Sequence, residues 1–211
     1  MTKTKANPTT HWLVQLALLT ALMVAMDMTG LAMIPLPGQY ASIATVPVAV
    51  GAMLLGPVAG GILGGVMGFI SFFNAVRTGF ATLTLAGYTG AALVGLSFVN
   101  SVLPRVAMGF LTGWIYLLAK KLDKNNTLSF YVGGLAAPLL NTLLYMSVLI
   151  TILLHAPTLE AALTPELMAA FQDNVLLFAV AYVGVQALIE AVIGCIISGS
   201  VGKILHRIFK K

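Results

Sequence analysis

Little in this chain suits a soluble enzyme. Only 8% of its 211 residues are charged, acids number 6, and there is one cysteine. Hydrophobic residues make up 59%, a balance that excludes a dispersed soluble domain and points to lipid. The lone Cys195, set in an apolar run, excludes a disulfide framework or a paired-thiol metal site and reads as core. The histidines, His11, His155 and His206, fall at different ends of the layout and do not converge, so no metal site is expected. There is no serine, histidine and acid set at one depth, no GxxxxGK[ST] loop, no paired carboxylates and no cofactor fingerprint. Catalysis and a bound cofactor are therefore not expected. Few intramembrane acids and no inverted repeat also argue against a proton-driven transporter.

What is present is a series of apolar runs with basic flanks. The length accommodates about six spans of roughly 20 residues in one membrane domain. Of the 11 basic residues, all but Arg77 and Arg105 fall on one side of a six-span layout: Lys3, Lys5, Lys120, Lys121, Lys124, Lys203, Arg207, Lys210 and Lys211. The net charge of +5 is thus topology bias rather than a nucleic-acid footprint, and both termini are expected in the cytoplasm. The expected fold is an all-α integral membrane protein with helices over about 11–28, 42–55, 58–74, 103–119, 129–154 and 174–201. The first run lacks a small-residue cleavage site and is read as a span, not a signal peptide.

Between the first two helices, Pro35, Pro37 and Gly38 predict an ordered outer loop. Gly56 followed by Pro57 is a helix stop beside a helix start, a tight cytoplasmic turn. Gly56, Gly60, Gly64 and Gly68, with Gly61 and Gly65 beside them, leave one helix face almost bare, so a neighbouring helix can approach closely. From 75 to 102 the apolar pattern is broken, and the parity of the basic flanks predicts a long, partly embedded outer loop. Its Gly79, Gly87 and Gly90 suit a moving lid. Pro157, Glu160, Pro165, Glu166 and Asp173 mark an acidic outer connection with a short interfacial helix.

A polar group at membrane depth costs several kcal/mol unless paired, so the few found there are the functional candidates. Arg105, opening the fourth helix after Pro104, and Arg77, after Asn74, are expected near the outer face, where they jointly hold an anion. Asn141 and Tyr145 lie one turn apart on the fifth helix and form a pocket wall opening outward. Gln186 is level with the pocket floor. Glu190, deeper, meets a buried partner or a neighbouring subunit. Gln39 and Tyr40 in the first outer loop are placed to close over a ligand. Two other classes are weighed: an intramembrane lipid-modifying enzyme using Asp27 and Glu190, which lie near opposite ends of the layout, and a ligand-free scaffold.

An ordered set of motifs resembles the substrate-binding S components of energy-coupling factor (ECF) vitamin transporters. The first helix has Ala17, Ala21 and Ala25 at intervals of four, similar to the small-residue motif that docks on the transmembrane coupling subunit. Then come the run from Thr45 to Pro57, the glycine-rich third helix, the run from Leu103 to Gly109, and Asn141-Thr142. The resemblance implies a six-helix subunit of the bacterial cell membrane that captures a vitamin outside and delivers it by toppling. Two cytoplasmic ATPase subunits acting through the coupling subunit supply the energy, so this chain binds no ATP. The amino terminus begins Met1-Thr2-Lys3, without the histidine motif of metal-transporting relatives. The arginines and the scarcity of pocket aromatics make the pattern most similar to pantothenate-specific members, with folate as the alternative anionic vitamin.

Overall fold

A computed structural model describes residues 8–36, 39–123, 127–158 and 163–209. The basic positions Lys3, Lys5, Lys124, Lys210 and Lys211 lie outside the described residues, as do Pro37, Gly38 and Glu160. The chain folds as α1 (Pro8–Met28), a hairpin of β1 (Met33–Leu36) and β2 (Gln39–Ser42), α2 (Thr45–Leu55), α3 (Pro57–Arg77), α4 (Ala81–Leu85), α5 (Gly90–Leu122), α6 (Leu128–Leu154), α7 (Pro165–Asp173) and α8 (Val175–Ile193). A π-turn, Gly194–Ser198, joins α8 to α9 (Gly199–Phe209). Among the described residues, five helical stretches are long and apolar enough to cross a bilayer: Thr9–Met28, Pro57–Arg77, Gly90–Leu122, Leu128–Leu154 and Tyr182–Ile208. The apolar α2 is shorter than these.

Two expectations change. The first outer segment is not simply a loop: Met33 pairs with Ser42 and Leu36 with Gln39 in a two-stranded antiparallel hairpin inserted in an otherwise all-helical fold. The segment 75–102 is mostly helix rather than a long loop: α4 occupies its middle and α5 begins at Gly90, well before the expected start at 103. Charge parity does not detect this error, since extending a helix outward adds no crossing. At about 1.5 Å per residue, the 33 residues of α5 reach about 50 Å, longer than the hydrocarbon core needs.

Pro104 lies inside α5 instead of starting a helix. Proline has no N–H for the carbonyl of Asn100, a loss that normally kinks or ends a helix. Here the side chain of the next residue compensates, with Arg105 Nη1 donating to the carbonyls of Ser101 at 2.7 Å and Asn100 at 3.4 Å.

The glycine face of α3 is the seam with α5. A Cβ on Gly64 would strike the Arg105 carbonyl, whose carbon lies 2.8 Å away, and one on Gly68 would come within 2.7 Å of Val102 Cα. Gly60 and Gly109 meet backbone to backbone, and Gly113 abuts Pro57, whose Cα is 2.6 Å from its would-be Cβ. A second seam joins Gly134 of α6 to Gly194 of the π-turn, 2.6 Å from would-be Cβ to carbonyl oxygen. Glycine costs about 1 kcal/mol per position in a helix relative to alanine, so such a run persists for the backbone contact it permits.

Two hydrophobic clusters result. One joins Val48, Met53, Leu63, Met108, Tyr116 and Phe130, toward the end where Trp12 Nε1 donates to the Leu55 carbonyl at 3.1 Å and where Lys120 and Lys121 close α5. The other joins Leu83, Ala86, Leu149, Leu153, Leu163 and Phe178, toward the opposite end.

Candidate functional site

A cavity of about 180 Å³ is lined by three elements of the expected loop and its neighbours: Ser71 and Thr78 at the end of α3, Phe80 to Leu83 around α4, and Ser97, Asn100, Ser101 and Arg105 on α5. Tyr145 of α6 completes the wall. Arg105 is the single charged lining residue, and its guanidinium stands 5.4 Å from the centre of the Tyr145 ring, a cation–π distance. Ser97 Oγ, Asn100 Oδ1 and Arg105 Nε are buried without a hydrogen-bond partner among the described residues. Buried polar atoms are nearly always paired, so three orphans on one wall mark a surface that lacks its complement.

The α4 segment forms another wall and is held at several points. Tyr88 Oη donates to the Ile152 carbonyl at 2.8 Å, the Thr158 N–H donates to the Ala86 carbonyl at 3.1 Å, and Thr82 hydrogen-bonds Tyr182 of α8. Positive φ marks both ends of it, at Gly79 (66°) and Phe80 (54°) before, Gly87 (86°) and Gly90 (58°) after. A bulky residue in the left-handed region is strained by about 1 kcal/mol or more. Phe80 is held there by its ring, 5.9 Å from that of Phe72, which packs edge-on against Phe98 at 5.4 Å.

The structure brings Arg105 and Tyr145 together and separates the other expected partners. Arg105 is not near a helix start: it lies 15 residues from Gly90 and 17 from Leu122 (105 − 90 and 122 − 105), at mid-helix. The error came from treating Pro104 as a first-turn residue. Arg77 is exposed, does not line the cavity, and donates to Asn74 Oδ1 at 3.4 Å. Asn74 in turn donates to Asp27 at 2.9 Å, beside a small pocket of about 30 Å³. Asn141 has a buried, unpartnered Oδ1 but is not a lining residue of the main cavity. Gln186 donates to Glu190 Oε1 at 2.8 Å, and the backbone N–H of Ser42 donates to the same oxygen at 2.7 Å. The backbone of Gln39 and Tyr40 forms β2, while their side chains lie outside the described residues. Ala17, Ala21 and Ala25 are all exposed on one face of α1, alongside exposed Leu18 and Leu22. Asp27 and Glu190 have different partners, which removes the acidic pair of the lipid-enzyme reading.

Sequence reasoning missed Ser97, Asn100 and Ser101. The signal was there: positions 97, 101 and 105 recur every four residues, the polar stripe of a helix, once 90–122 is read as continuous.

An apolar multi-helix bundle with helices of spanning length and a cavity holding one charged side chain has the architecture of a multi-pass membrane protein with a candidate ligand site. Residues 11–199 match the family described as ECF transporter, substrate-specific component, and the chain belongs to that family. A comparison with curated proteins gives no match. Members of the family are substrate-binding transporter subunits, so this chain is a multi-pass transport component and not an enzyme, and it works with the coupling and ATPase subunits of the ECF module.

Proposed function

We propose that this S component binds pantothenate from the outer side of a bacterial plasma membrane and releases it inward by toppling on the coupling subunit. The observation that carries the substrate reading is the single guanidinium, Arg105, in a compact cavity whose other lining groups are hydroxyls, one amide, two aromatic rings and the aliphatic Ala75, Ala81 and Leu83. A monoanion with hydroxyl and amide groups satisfies such a wall: its carboxylate takes Arg105 Nε, and its O–H or N–H groups donate to Asn100 Oδ1 and Ser97 Oγ. At about 180 Å³ the space falls below the roughly 300–1,000 Å³ of pockets for drug-sized molecules, which favours pantothenate over the much larger folate. Asn141 and Gln186, outside the lining, support the site from behind; Asn74 and Arg77 order the outer end of α3; Gln39 and Tyr40 cover the opening.

The basic ends at Lys120, Lys121, Lys203 and Arg207 face the cytoplasm by the positive-inside rule, with α2 serving as the sixth membrane element. The exposed face bearing Ala17, Ala21 and Ala25 receives the coupling subunit, since small residues permit close helix contact. The two ATPases of the module drive the cycle.

Calorimetric titration of the detergent-solubilised subunit tests the substrate. Submicromolar binding of pantothenate, about 8 kcal/mol or more, with none of folate is expected. Binding of folate alone would reverse the assignment. The α4 segment acts as the lid of this site: its amide hydrogen exchange over 78–90 slows when ligand is present, and unchanged exchange removes the lid from the scheme.

A further inference from the structure

Glu190 is the one charged side chain that is fully buried among the described residues, at 2% exposure. Its Oε1 accepts from the Ser42 N–H and from Gln186 Nε2, while Oε2 is buried without a partner. Glu190 does not line the cavity, yet it interacts electrostatically with Arg105, which does. From the elements around it, Arg105 of α5 supplies the one cation, Tyr145 of α6 lies against that cation, Tyr182 shares its own helix, the π-turn carries Cys195, β2 offers the Ser42 N–H, and α2 has no ionisable residue. The acids of α7, Glu166 and Asp173, stand at the far end of α8, at least 17 residues away (190 − 173) or about 25 Å along the helix.

With Arg105 and Glu190 both ionised, this interior carries one guanidinium and one carboxylate and is neutral before the ligand enters. A ligand carboxylate that pairs with Arg105 takes over the charge that compensates Glu190 and leaves a buried, uncompensated anion. Burying such a charge is costly enough that a group neutralises instead. We propose that Glu190 is a proton-binding site coupled to the ligand site: entry of the anionic substrate is accompanied by uptake of one proton on Glu190 Oε2, the oxygen left without a donor. No bond other than the new O–H forms, and the proton comes from solvent. The proposal rests on the reading of Arg105 as the anion-binding group.

The measurement is titration with pantothenate at one pH in buffers of different ionisation enthalpy, together with Kd from pH 6 to 8, where the ligand's own carboxylate stays ionised. Uptake of about one proton makes the observed heat depend on the buffer and weakens binding by up to about tenfold per pH unit as pH rises. The substitution Glu190→Gln mimics the protonated side chain, so it is expected to bind with no buffer dependence and a flat pH profile. Wild-type binding with heat independent of buffer and Kd independent of pH overturns the proton site and leaves the anion reading standing. Unchanged proton uptake in a folded Glu190→Gln variant overturns the assignment to Glu190. No pantothenate binding by folded wild-type protein overturns the substrate reading and the coupling with it. If Glu190→Gln does not fold, the wild-type buffer dependence decides by itself.

Discussion

The two hydrophobic clusters are built by different rules. The cluster around Met108, Tyr116 and Phe130 rests on helices that touch backbone to backbone, with glycines meeting carbonyls across α3 and α5. The cluster around Leu83, Leu149 and Phe178 includes a five-residue helix, α4, bounded by left-handed turns and held by a few hydrogen bonds to neighbours. The cavity adjoins the second: Leu83 belongs to both. Close backbone packing leaves no room for rearrangement, because interiors at that density respond to small changes of volume. A short segment pinned at a few points opens at lower cost. A binding protein needs both, a rigid frame that fixes its charged residue and a mobile wall that admits the ligand.

Arg105 joins the two. Its carbonyl is the contact of Gly64 in the seam, and its side chain is the charge of the cavity. The largest expected effect therefore comes from Gly64→Leu, which places a side chain where the Arg105 backbone sits. A stability loss of about 3 kcal/mol or more is expected, seen as a lowered thermal unfolding midpoint in detergent, with ligand affinity falling as well. An unaltered midpoint would show that α3 and α5 do not touch there.

Next is Arg105→Ala, which keeps the seam and removes the cavity's charge. It is expected to weaken pantothenate binding by about 1.5–3 kcal/mol, roughly 10- to 150-fold, in protein that remains folded. Equal affinity would take Arg105 out of the site. The substitution Tyr145→Leu deletes only the ring against which the guanidinium rests, and a loss near 1 kcal/mol in titration is expected. A loss as large as that of Arg105→Ala would mean that the ring itself contacts ligand.

The smallest effect on the isolated subunit belongs to Ala21→Leu on the exposed face of α1. Stability and ligand affinity should each change by less than about 0.5 kcal/mol, since the position is exposed on the surface of α1. Uptake of labelled vitamin into vesicles containing the whole transporter is the contrasting readout, and it should fall sharply. Full uptake would place the coupling-subunit contact elsewhere.

Much of the frame was legible in the order of residues. Apolar runs of spanning length, the Gly56–Pro57 turn and the glycine stripe at intervals of four are local patterns, and each has one physical reading in lipid. The polar candidates were also legible as exceptions, and Arg105 with Tyr145 does stand in the cavity wall. Ser97, Asn100 and Ser101 were missed because the first-turn rule for Pro104, together with charge parity, started the helix after them. That rule fails here through a side-chain contact, Arg105 Nη1 to the freed carbonyl, which no local pattern shows. Arg77 was matched to Arg105 by sign and expected depth, while the fold leaves it exposed at the end of α3.

The sequence by itself determined that this chain lives in a membrane, that its helices pack through glycine, and that two arginines, Arg77 and Arg105, stand apart from the other basic residues. Only the tertiary structure decided which polar groups meet. Asn74 turns to Asp27, Gln186 to Glu190, and Glu190 to the backbone of a strand 148 residues away in sequence. Residue spacing reports the face of a single helix, whereas the partner across a helix interface depends on crossing and register, which are set by the packing of all the helices together.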